Sequence, residues 1–149
     1  MFEKFNIELI SVDSVMVYRG ANIGSAKPTD DVLSNYPHHL VNNKSLNEIY
    51  SVAEFYSDSL KLIEEAHSRN KVPLFVGGSM MYFKSLIRGI DKLPQRDDGY
   101  RDALIELKAS EDSHFLFNVL LSKDPDYAKA IKPNDEKRII RALEVINAT

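Results

Sequence analysis

Two short β-branched runs, each stopping abruptly at a small or acidic residue, constrain this chain more than any other feature. Ile7-Glu8-Leu9-Ile10-Ser11-Val12 ends at Asp13-Ser14, and Val72-Pro73-Leu74-Phe75-Val76 ends at Gly77-Gly78-Ser79. The first reads as a buried strand and the other as a second strand, with Pro73 at its first turn or on an edge. Between them, Ser51 and Glu54 have the spacing of a capping box, and Val52, Phe55, Tyr56, Ile63 and Ala66 recur with a helical period. Asn70 supplies a left-handed stop for that helix. A second helix over 80–88 opens after Ser79 and closes at Gly89. Strand, helix, strand, helix demands crossover connections and therefore parallel strands, which is an α/β layer.

The remainder of the chain is organised differently. Residues 15–28, with Gly20, Gly24 and Pro28, read mostly as loop, and Pro37-His38-His39 as a second loop or strand edge. Beyond Pro94 the stretches 101–109, 114–121 and 135–148 read as helices, punctuated by Pro125 and Pro133, with no strand among them. The expected division is an α/β core fragment over 1–95 and a helical segment over 96–149.

Composition removes several classes of function. A chain of 149 residues, 44% apolar and 28% charged, can bury one core without staples. With no cysteine there is no thiol catalysis, disulfide framework or Cys-ligated metal. No apolar run reaches the about 20 residues needed to span a bilayer. Met1-Phe2-Glu3-Lys4-Phe5-Asn6 has no signal-peptide pattern, so the expectation is a cytoplasmic protein with no membrane association. A net charge of −3 argues against coating nucleic acid by bulk charge. Yet residues 127–143 gather Lys129, Lys132, Lys137, Arg138 and Arg141 against Asp135 and Glu136, a local basic face able to bind phosphates.

Three features can carry chemistry. Asp13 follows a strand at its carboxyl end, where open α/β sheets form ligand crevices; it could hold Mg²⁺ through water, serve as a general base, or simply bond its own loop. Gly77-Gly78-Ser79 opens a helix whose free amides attract anions, or is an ordinary turn with a serine cap. In the last helix Asn134 reads as the N-cap, and Ile139, Ala142, Leu143 and Ile146 as the apolar face. Lys137, Arg138 and Arg141 lie opposite, as an RNA-gripping triplet or a solvated basic face. His38-His39 lacks a carboxylate-rich partner motif and reads as structural or surface, and Phe55, Tyr56, Tyr82 and Phe83 read as core.

Taken together, these blocks resemble one family. Ile10-Ser11-Val12-Asp13-Ser14, Val17-Tyr18-Arg19-Gly20 and Ile23-Gly24-Ser25-Ala26-Lys27-Pro28 look like the signature of tRNA dimethylallyltransferases, also called tRNA isopentenyltransferases. Pro37-His38-His39-Leu40, Val76-Gly77-Gly78-Ser79-Met80-Met81-Tyr82, Pro133-Asn134-Asp135 and Arg138 with Arg141-Ala142-Leu143-Glu144 follow in the family's order and spacing.

The resemblance implies a P-loop-NTPase-like parallel sheet with an α-helical insertion. It also implies transfer of a dimethylallyl group from dimethylallyl diphosphate to N6 of the adenosine at tRNA position 37, with Mg²⁺ assisting diphosphate departure. It gives catalytic roles to Asp13, as the base on the amine, and to Ser79, where the family usually has Thr. It places Asp13, Ser14, Val15 and Met16 beside the flipped adenosine. Arg101, and Lys137, Arg138, Ile139, Ile140 and Arg141, match positions facing the tRNA anticodon stem-loop. The implied protein is a monomer. The chemistry suits these residue types, because a weakly nucleophilic exocyclic amine gains from a carboxylate and the target base must leave its stack.

The sequence also departs from the family. Met16 stands where many members have Gln, and Val41-Asn42-Asn43-Lys44 lacks an Asp-rich block. Family members begin with a strand, a P-loop and a helix that would precede Ile7, and they continue past residue 149. The expectation is therefore a sequence truncated at both ends and poorly active alone. Two other readings remain, a noncatalytic RNA-binding remnant and an isopentenyltransferase acting on free adenine nucleotide. A small-molecule kinase is disfavoured because no G-x-x-x-x-G-K-[ST] loop occurs.

Overall fold

The computed structural model describes residues 5–112 and 114–149; residues 1–4, most of the stretch read for a signal pattern, lie outside it. The chain divides into two compact units between Ile90 and Asp91.

The first unit is the α/β layer. Strand β1 (Ile7–Val12) is followed by helix α1 (Asp30–Asn35), strand β2 (His38–His39), helix α2 (Val52–Ser68), strand β3 (Val72–Gly77) and helix α3 (Met80–Arg88). The sheet order is β2-β1-β3, and both pairings are parallel. Ile7 pairs with Val72 and Val12 with Gly77, so β1 and β3 end side by side. The extended segment at His38-His39 is a short strand because β1 supplies its ladder, Leu9 opposite His38. Helix α1 was not legible as such, although Thr29 followed by Asp30 and Asp31 is a fair helix start.

Helix α2 forms where its capping signal lies. Ser51 Oγ accepts from Glu54 N, and Glu54 reaches back to Ser51 N. It stops at Asn70, whose φ of 53° is the expected left-handed turn. The core of this unit is Ile10, Val12, Val17, Leu40, Tyr50, Phe55 and Tyr82. Phe55 stacks on Tyr82 with ring centroids 4.1 Å apart and planes 10° from parallel, worth about 0.5–1.5 kcal/mol beyond area burial.

The elements described in the second unit are all helices: α4 (Asp98–Ala109), α5 (Phe115–Lys123), α6 (Pro125–Lys129) and α7 (Glu136–Ala148). Pro125 begins a helix rather than only interrupting one, since a proline in the first turn has no amide to waste and Asp124 caps Tyr127 N. The cap of α7 is Asp135, not Asn134; its carboxylate accepts from Arg138 N at 3.3 Å and holds Arg138 Nε at 3.4 Å. The charged side chain one residue on wins because it satisfies both a first-turn amide and a cation. Leu104, Leu116, Leu120, Ala128, Ile139, Ile140 and Leu143 make the core. Among the described residues, no helix is long and apolar enough to cross a membrane.

Candidate active site and nucleic-acid interface

In the first unit the site grows from the register of β1 and β3. Because Val12 faces Gly77, the residues that leave each strand meet at once. A Cβ on Gly77 would overlap the backbone carbonyl of Val12, so only glycine allows this approach. Ser79 N then donates to Val12 O at 3.0 Å, and Ser14 N donates to Ser79 Oγ at 3.0 Å. The serine hydroxyl therefore ties the two strand ends together instead of capping α3, where it makes no cap bond.

Asp13 is held by its own turn. Its Oδ1 accepts from Val15 N at 2.8 Å and Met16 N at 3.0 Å, which orients the carboxylate and leaves Oδ2 with no hydrogen bond among the described residues. The loop-bonding reading of Asp13 therefore holds for Oδ1. Ser14 and Val15 are exposed, Met16 is half-buried with its sulfur 3.9 Å from Ser11 Oγ, and Val17 anchors the turn in the core. An open depression of about 530 Å³ lies beside this junction, lined by Ser14, Ser79, Met80, Met81, Tyr50 and Tyr82 among others. Burial and the neighbouring Asp58 carboxylate push the Tyr50 hydroxyl far above its usual range; it donates to Asp58 Oδ2 and stays protonated.

His39 has a structural partner. Its Nε2 lies 3.1 Å from Glu8 Oε2, and Glu8 also receives Arg69 through Nε at 2.9 Å and Nη2 at 2.8 Å, with Lys71 Nζ 3.3 Å away. These donors, Arg69 first, hold the buried Glu8 carboxyl at about 2. No group of three or more His, Asp or Glu side chains among the described residues could hold a metal.

The residues expected to face tRNA in the second unit have different surroundings from one another. Lys137 is exposed, and the Arg138 side chain is 66% exposed. Ile139 and Ile140 are in the core. Arg101 and Arg141 converge on Glu144, a residue not singled out for a role by sequence. Arg101 binds it through Nε at 3.0 Å and Nη2 at 2.9 Å, while Arg141 Nη1 binds the same carboxylate and its Nη2 donates to Pro94 O at 2.7 Å. Asp97 N also donates to Glu144. Arg101 above all, against the cost of burial, holds Glu144 at about 2. The available signal was a glutamate inside the apolar stripe of α7, next to Leu143 and one turn after Ile140.

Known proteins are similar to this chain over nearly its whole length. A tRNA dimethylallyltransferase of Buchnera aphidicola subsp. Baizongia pistaciae (strain Bp) is 51% identical over 140 residues, covering 93% of this chain and 43% of the relative. One from Acinetobacter baumannii (strain SDF) is 45% identical over 150 residues, covering all of this chain and 48% of the relative. Among solved structures, the full-length tRNA isopentenylpyrophosphate transferase from Bacillus halodurans is 40% identical, with a TM-score of 0.58 over 99% of this chain and 49% of its own. A eukaryotic dimethylallyltransferase acting on tRNA is 31% identical, with a TM-score of 0.75 over 96% of this chain and 36% of its own. The chain spans a little under half the length of the curated relatives it matches. Its three parallel strands belong to a P-loop-NTPase-like sheet. The family model for IPP transferase matches residues 16–149, nearly all of the chain, and on that match together with these likenesses the chain belongs to the IPP transferase family.

Proposed function

We propose that this chain supplies the acceptor-base end of the reaction centre and a tRNA-facing helix of a tRNA dimethylallyltransferase, which moves a dimethylallyl group from dimethylallyl diphosphate to N6 of adenosine 37. The observation that carries the reading is the junction of Asp13, Ser14 and Ser79. It sets a carboxylate oxygen and a serine hydroxyl at the carboxyl ends of two adjacent parallel strands.

Asp13 has the part of orienting and deprotonating the adenine amine. Its Oδ1 is spent on two amides, so the carboxylate cannot swing, and Oδ2 remains for the amine. Ser79 fixes Ser14 beside the acceptor, and Val15 and Met16 border the base. The apolar depression lined by Met80 and Met81 next to Ser14 suits an uncharged group such as a prenyl chain or a base face.

When bound, Mg²⁺ would neutralise diphosphate charge as it departs. Asp13 would help to hold the ion through water, using the Oδ2 that the loop leaves free. Lys137 and Arg138, exposed on α7, are the cations best placed to meet stem-loop phosphates.

The test is a chimera in which this chain replaces the matching half of the Acinetobacter relative. It is assayed with labelled dimethylallyl diphosphate and an unmodified anticodon stem-loop. The chimera is expected to transfer label, and Asp13→Ala to slow transfer about 100-fold or more without changing stem-loop affinity. A folded chimera that transfers nothing, or one indifferent to Asp13→Ala, would sink the reading. Label passing to free AMP rather than to the stem-loop would favour the nucleotide-using alternative.

A further inference from the structure

We infer that Glu144 is a positioning residue for RNA binding: its buried carboxylate fixes Arg101 and Arg141 as a pair of guanidiniums preset to receive backbone phosphate. The inference rests on the tRNA-binding reading above and adds to it a residue that contacts no RNA itself.

The geometry is that of a clamp. The Glu144 side chain is 1% exposed, so it cannot meet a ligand directly. Its two oxygens accept from Arg101 Nε and Nη2, from Arg141 Nη1 and from Asp97 N. A buried carboxylate this well supplied holds its partners far more tightly than an exposed ion pair would. The two guanidiniums stay in reach of solvent, with Arg101 22% and Arg141 35% exposed. Each guanidinium has five N–H donors and uses two in these bonds, so donors remain for a second anion. Two arginines against one glutamate leave a net charge of +1 on a rigid frame. Arg141 is further pinned by Pro94 O, which joins the segment before α4 to the face of α7. A phosphate arriving here would find its cations already ordered, and the side-chain entropy of ordering them would not fall on binding.

The sign of one substitution separates positioning from mere charge. Glu144→Gln removes a negative charge, so if Glu144 did nothing but dilute the basic face, RNA would bind more tightly. If it positions the two arginines, RNA binds more weakly despite the added net positive charge. Glu144→Asp keeps the charge but shortens the reach, so it too should weaken binding, which a pure charge effect does not predict.

The experiment uses the whole 149-residue chain and a fluorescent anticodon stem-loop RNA, across a salt titration, below the melting transition recorded by circular dichroism. Tenfold or greater loss of affinity is expected for both variants, with the slope of log affinity against log salt reduced by about one to two. Lys137→Ala with Arg138→Ala should lower the slope without altering the melting transition. Equal or tighter binding by Glu144→Gln, with the unaltered chain binding normally, overturns the positioning role alone. No salt-dependent binding by the unaltered chain overturns both this inference and the tRNA-facing reading. Should Glu144→Gln not fold, Glu144→Asp decides: unchanged affinity overturns the inference, and lost affinity in a folded protein supports it.

Discussion

The amide of Ser14 donates to the hydroxyl of Ser79 at 3.0 Å, joining residues 65 positions apart that each follow a parallel strand. Ser79→Ala deletes that link, and the bond is partly open to solvent. The expected cost is therefore about 0.5–1.5 kcal/mol, with faster hydrogen exchange at the Ser14 amide. Ser79→Thr keeps the hydroxyl and should leave both near normal. Urea unfolding with amide exchange by NMR reads the difference; unchanged exchange at Ser14 in the alanine variant would show that the link is idle.

Gly77 and Gly78 are neighbours with opposite tolerance. A Cβ on Gly77 would overlap the Val12 carbonyl, whereas one on Gly78 meets nothing within 4 Å. Gly77→Ala should cost about 3 kcal/mol or more, because the two strand ends must separate. Gly78→Ala should stay within about 1 kcal/mol. Denaturant midpoints of the two variants check this, and similar midpoints would mean the strand ends can part cheaply.

Acid should weaken both units through two buried glutamates. Glu8 and Glu144 are each held at about 2 against an ordinary 4.5, chiefly by Arg69 and Arg101. A depressed carboxyl means the unfolded chain takes up the proton first. The stabilisation is thus complete above about 4.5 and is lost as pH falls towards 2. The loss is on the order of a few kcal/mol for Glu144, and less for Glu8 because Arg69 is about half exposed. Urea midpoints between pH 6 and pH 2.5, about the range in question, should fall steeply below the ordinary carboxylate range. Glu8→Gln should flatten that fall in the first unit. A midpoint independent of pH in this window would contradict the ion-pair account.

Much of this fold could be read locally. The capping box at Ser51 and Glu54, the stop at Asn70 and the two strand runs are short-range patterns, and each appears where its chemistry puts it. Helix α1 and the start of α6 were harder to read, since short helices carry too few residues to show a period. The cap of α7 moved by one residue because Asn134 and Asp135 are both good caps by type, and only geometry decides which one meets Arg138 N.

For the candidate site, sequence singles out Asp13, Ser79 and the basic run of the last helix as candidates. Their residue types and their positions beside strand and helix ends are written in the order of the chain. It could not say that Ser79 would bond Ser14 rather than cap its own helix, because that choice depends on the register of two strands distant in sequence. Nor could it separate Arg138, exposed, from Arg141, half-buried on Glu144. On a helical wheel the two arginines look alike. Burial and pairing depend on what packs alongside, and only the tertiary structure brings Arg101 and Pro94 to the face of α7 where Glu144 waits.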